Sequence, residues 1–162
     1  MTQSNFNFRK AEREDTPLIL SFIKKIADYE NLLSEVSATV DSLEYWLFDE
    51  KKAEVVFACV DGKEIGFALY FYNFSTFVGK AGIYLEDIFV DKEYRGHGYG
   101  KALFRYVASI AVKRGCGRMD WCCLDWNEPS IRFYKSMGAI AMDEWTIYRL
   151  QGDALKKFGS EE

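Results

Sequence analysis

The segment Arg95-Gly96-His97-Gly98-Tyr99-Gly100 sets three glycines at alternate positions between two apolar runs. Gly82 to Val90, before it, reads as a strand. Leu103, Val107, Ile110 and Ala111, after it, recur at helical spacing up to Gly115. A strand–turn–helix unit of this kind commits the chain to an α/β arrangement and gathers backbone N–H groups at a helix N-terminus. Such a terminus attracts anions, because its first N–H groups lack intrahelical partners and the helix dipole is positive there. Gly96, Gly98 and Gly100 clear the approach of side chains, and Arg95 and Lys101 add positive charge. The spacing is GxGxG, not the dinucleotide GxGxxG, and no GxxxxGK[ST] P-loop occurs. Taken alone, the turn also fits a structural bend that needs positive φ.

The flanks supply the rest of an α/β domain. Phe6–Lys10 alternates as a first strand, and Asp15-Thr16-Pro17 opens a helix carrying Leu18, Phe22, Ile26 and Tyr29, to about Glu30. Residues 31–37 read as a loop and Thr39–Asp49 as a second helix. Val55–Val60, a tight turn at Asp61-Gly62-Lys63 and Ile65–Phe74 form a hairpin, with a further turn at Gly79. Met119–Leu124 reads as a buried strand. A helix then starts at Asn127, with Pro129 in its first turn and Gly138 at its end. Trp145–Leu150 reads as a last strand and Asp153–Phe158 as a terminal helix. The order is β-αα-βββ-α-β-α-β, without internal repeats.

At 162 residues, 49% of them hydrophobic, the chain suits one domain over 1–162 with a large core. A net charge of -4 without a basic stripe speaks against a nucleic-acid partner. No apolar run approaches the roughly 18 residues of a membrane span, and Met1–Lys10 lacks the apolar stretch of a signal peptide. The cysteines, Cys59, Cys116, Cys122 and Cys123, form no CxxC pair, and His97 is the lone histidine. A Cys/His metal site and a thiol triad are therefore both unsupported. Reduced cysteines in a cytoplasmic protein with no metal are the expectation.

The strand Glu86-Asp87-Ile88-Phe89-Val90 followed by Arg95–Gly100 resembles the acetyl-CoA motif R/Q-x-x-G-x-G/A of the GNAT acetyltransferase superfamily. Asn127-Glu128-Pro129-Ser130-Ile131-Arg132-Phe133-Tyr134-Lys135-Ser136-Met137-Gly138-Ala139 resembles that family's second cofactor segment. Ala27–Glu30, Ile65–Phe71, Gly82–Val90 and Asn127–Ser130 are similar to the spermidine/spermine (diamine) acetyltransferases. Phe74–Phe77, Leu124–Asn127 and Leu150–Lys157 point to the branch that acetylates thialysine. The resemblance implies a mostly antiparallel mixed sheet, splayed at the acetyl-CoA site and flanked by helices. It implies cofactor contacts from Ile88, Phe89, Val90, Arg95, Gly96, His97, Gly98, Tyr99, Gly100, Lys101, Asn127, Pro129, Ser130 and Tyr134. It also implies a homodimer with the C-terminal strands near the interface. Ser75 and Phe77 stand where polyamine-acting members carry an acid and a Trp.

Acetyl transfer to an alkylamine, protonated at neutral pH, needs a proton acceptor, oxyanion stabilisation and a proton for the departing thiolate. Tyr134 is the candidate general acid and Glu86 the candidate base, acting through water. On a regular strand Glu86 and Asp87 point to opposite faces, so one alone faces the reacting group. Tyr29, Glu30, Glu86, Asp87 and Glu144 are the candidate residues for a small cationic amine. A protein or peptide acetyltransferase, a non-catalytic acyl-CoA sensor and, last, a nucleotide-binding oxidoreductase remain as alternatives.

Overall fold

The computed structural model describes residues 5–160. Met1–Ser4 of the polar N-terminal stretch lie outside that range. Two compact parts, Met1–Cys122 and Cys123–Glu162, are described separately.

The first part is built on a five-stranded sheet of order β1-β2-β3-β4-β5. Its strands are β1 Phe6–Lys10, β2 Glu54–Val60, β3 Lys63–Ser75, β4 Lys80–Val90 and β5 Met119–Trp121. The first four run antiparallel, because tight turns join β2 to β3 and β3 to β4. β5 follows a helical crossover and pairs parallel with β4. The sheet is mixed and open, as the sequence implies.

Alternation along β2 divides the core between the two faces. Val55, Phe57 and Cys59 join Phe67 and Leu69 in a buried cluster with Ile19 and Phe22 of α1 (Thr16–Tyr29). Phe22 stacks on Phe67 at 5.3 Å. Burying a side chain such as Phe22 stabilises the fold by about 1.5–3 kcal/mol. Val56 and Tyr70 line the opposite face beside Tyr106 and Ile110 of α3 (Tyr99–Lys113).

The expected second helix is split. α2 covers Val40–Glu44, capped by Thr39, and widens into a π-helical turn over Tyr45–Asp49. Residue spacing of three and four does not distinguish these windings, so the apolar pattern could not reveal the change. Trp46 in this turn is 52% exposed. The strand foreseen over Met119–Leu124 stops at Trp121.

The second part carries α4 (Glu128–Ser136) and α5 (Gly152–Ser160). The strand foreseen over Trp145–Leu150 is not formed, and these residues have no regular structure. Alternation marks a segment able to pair, but a strand exists only where a neighbour supplies its hydrogen bonds.

Candidate active site

The site begins where β4 changes character. Ile83, Tyr84 and Leu85 pair with β3 on one side and with Met119, Asp120 and Trp121 of β5 on the other. Beyond Leu85 the β5 pairing ends. Glu86–Val90 therefore keeps only its β3 ladder, and its other backbone edge has no strand partner among the described residues. The register against β3 shifts at the same place, with Leu69 opposite Asp87 but Tyr70 opposite Leu85. Glu86 is the extra residue of a β-bulge. A bulge resets the inward–outward phase, so the simple opposite-face argument for Glu86 and Asp87 does not apply. Glu86 is exposed, while Asp87 is half-buried.

Asp87 sits in an acidic setting. Burial, first, and then the charges of Glu86 and Glu30 push its carboxyl up to about 7. Burial also raises Glu30, which caps the C-terminal end of α1. None of the three carboxylates has an ion-pair partner among the described residues. An uncompensated acidic group next to an open strand edge is suited to a cationic guest.

Tyr29, the last residue of α1, and Phe89 both lie against Arg95. The Arg95 guanidinium carbon is 5.1 Å from each ring centroid, and its Nε donates to the Val90 carbonyl at 2.9 Å. The glycine loop follows. Gly96 and Gly98 adopt φ of 81° and 85°, and an added Cβ at either would touch no protein atom within 4 Å. Conformation, not crowding, therefore demands glycine here, and the space above both remains open. His97 is exposed and makes a 3.0 Å Nδ1 contact with the Arg95 carbonyl. Gly98 is the N-cap of α3 and no side chain caps that helix. By contrast, Thr39 caps α2 and Asn127 caps α4. The N–H groups of Tyr99, Gly100 and Lys101 thus lack intrahelical and side-chain partners, the arrangement that favours anions at a helix N-terminus.

In the second part, Asn127 is buried and its side chain accepts from the Ser130 N–H at 3.3 Å, with Pro129 in the first turn. Tyr134 is half-buried on α4, beside Phe133 at 5.4 Å between centroids. Glu144 is exposed in the irregular segment after α4.

Ser75 and Phe77 do not join the carboxylates of their own part. Ser75 is buried at the end of β3, where its Oγ accepts from Val78 N–H, and Phe77 is 97% exposed at the hairpin tip. The ladder from Tyr70–Leu85 to Ser75–Lys80 puts them roughly 17 Å along the strands from Glu86. Among the described residues no cluster could hold a metal ion, and all four cysteines are free.

Residues 21–139 match the Acetyltransferase (GNAT) family, a span that includes the open edge of β4, the glycine loop and α4. The chain belongs to this family. It is a GNAT N-acetyltransferase, and such enzymes use acetyl-CoA. It is 33% identical to the thialysine N-epsilon-acetyltransferase of Bos taurus, with 94% of this chain and 96% of that one covered. It is 50% identical over 91 residues to the L-ornithine N5-acetyltransferase NATA1 of Arabidopsis thaliana, a match spanning 56% of this chain and 40% of that protein. Among solved structures, an integron cassette protein from the mobile metagenome of V. cholerae aligns with a TM-score of 0.79 and 28% identity. That alignment covers 96% of this chain and 98% of the other.

Proposed function

We propose that this GNAT enzyme acetylates a primary amine of a small cationic molecule: a lysine-like amine such as thialysine, or a diamine or polyamine. The observation that carries this reading is the trio Glu30, Glu86 and Asp87. It collects negative charge without an ion-pair partner at the open half of β4, immediately before the uncapped helix. The names of the bovine and Arabidopsis relatives point to the same substrate class.

Direct attack of the amine on the thioester assigns the roles. Glu86, exposed at the bulge, takes the ammonium proton through water. Asp87, Glu30 and Tyr29 hold the cation, and the family resemblance adds Glu144 to the residues that bind the amine. The open backbone edge at Ile88–Val90 and the groups from Arg95 to Lys101 bind acetyl-CoA, and the family resemblance adds Asn127, Pro129 and Ser130 to the cofactor contacts. Tyr134 returns a proton to the departing thiolate. Residues 1–162 work as a single domain, acting as a homodimer in the cytoplasm. No helix of the described residues is long and apolar enough to cross a membrane.

Initial rates with acetyl-CoA and thialysine, lysine, ornithine, putrescine, spermidine or a lysine peptide test the reading. A small amine should be preferred to the peptide by at least an order of magnitude. Preference for the peptide would favour a protein acetyltransferase instead. Tyr134→Phe should bind coenzyme A but lose transfer by on the order of 100-fold, the low end for general acid catalysis.

A further inference from the structure

Arg95 connects three pieces of the first part. Its backbone follows the 3-10 turn Lys92–Tyr94 and opens the glycine loop. Its Nε bonds the carbonyl that ends the open edge of β4. Its guanidinium lies against Tyr29, at the end of α1, and Phe89, which packs on the core. The terminal Nη groups have no protein partner among the described residues. They form the fork that suits phosphate oxygens, and they belong to the residue that leads into the anion site. Tyr29 is followed by Glu30, whose charge reaches Asp87. Arg95 therefore opens the glycine loop through its backbone and lies against the end of α1 through its guanidinium.

We propose that Arg95 is a positioning residue that couples the two substrates: anion binding to its Nη groups fixes the guanidinium plane, which holds Tyr29 and Glu30 in place for the amine. The coupling rests on the functional reading above and adds to it a binding dependence that the roles alone do not require. The cofactor pays for ordering the end of α1, so the amine binds a segment already set. Reciprocity follows, and the amine tightens the cofactor by the same factor. Lysine cannot replace Arg95 in this role. It keeps the charge but lacks a planar face for two rings and a fork for two oxygens.

Isothermal titration of coenzyme A, with and without saturating thialysine, tests the coupling on the full chain. In the wild type, thialysine should tighten coenzyme A by on the order of fivefold, the low end of measured coupling between sites. Arg95→Lys should bind coenzyme A more weakly and bring that ratio to about one. Tyr29→Leu should bring the ratio to about one at thialysine concentrations shown to saturate that variant, and Tyr29→Phe should keep it. Tyr29→Leu provides an independent arm if Arg95→Lys does not fold by circular dichroism. A wild-type ratio of one, or a ratio that survives in both Arg95→Lys and Tyr29→Leu, overturns the coupling and leaves the functional reading intact. A wild type that binds no coenzyme A, or acetylates no amine of the panel, overturns that reading, and the coupling falls with it.

Discussion

The two halves of β4 are one strand with two jobs. From Ile83 to Leu85 it has a neighbour on each side, and Ile83 and Leu85 are almost wholly buried. From Glu86 to Val90 it keeps one neighbour, begins with a bulge, and carries two adjacent acids. The change falls at a single residue, Glu86. The paired half commits its backbone to the sheet, whereas the open half has one edge without a strand partner among the described residues. The lesson is that ending a β-ladder early, next to a helix whose first turn has no side-chain cap, leaves backbone groups without sheet or helix partners.

Substitutions in the two halves should separate stability from chemistry. Glu86→Gln, in the open half, should lower kcat/KM by on the order of 100- to 1,000-fold, as expected when a general base is lost. Its melting temperature should stay close to wild type, since Glu86 is exposed. Ile83→Ala, in the paired half, should do the opposite. The side chain is fully buried, so unfolding by urea should show a loss of about 2–5 kcal/mol. The folded fraction should retain kcat/KM within about twofold. Equal loss of activity from both would erase the distinction between the halves.

Asp87→Asn sharpens the comparison through pH. The folded chain holds the Asp87 proton up to about 7, whereas the unfolded chain releases it near the ordinary value of about 3.9. Between those values the folded state binds more protons, so wild-type stability falls as pH rises and the loss is complete above about 7. Asp87→Asn should remove that slope, melting higher than wild type at pH 8 and no differently near pH 3. The amine KM should respond in the other direction. Only ionised Asp87 attracts the ammonium, so the variant should raise KM more at pH 8 than at pH 6. A pH-independent difference in both readouts would place Asp87 outside the amine site.

Much of this arrangement is legible in the sequence because its signals are local. Gly96 and Gly98 are needed for their own φ values, and α1 announces itself through Leu18, Phe22, Ile26 and Tyr29. Asn127 and Pro129 mark the start of α4 by their own chemistry. What stayed hidden depends on neighbours. The Glu86 bulge exists only in the register against β3, and the end of β5 at Trp121 decides which half of β4 is open. The raised Asp87 carboxyl depends first on burial in the folded chain, then on Glu86 and on Glu30, which is far away in sequence. The two rings around Arg95 meet only once α1 and β4 are folded together. Trp145–Leu150 has the alternation of a strand and none of its pairing, since pairing belongs to two segments and never to one.

Hydrogen exchange of the backbone amides, with and without acetyl-CoA, tests the central claim most directly. Cofactor bound along the open edge and at the uncapped helix should slow exchange in Glu86–Val90 and in the loop through Lys101. Lys80–Leu85, already paired on both sides over Ile83–Leu85, should not change. Protection of the paired half with Glu86–Lys101 unchanged would contradict the account.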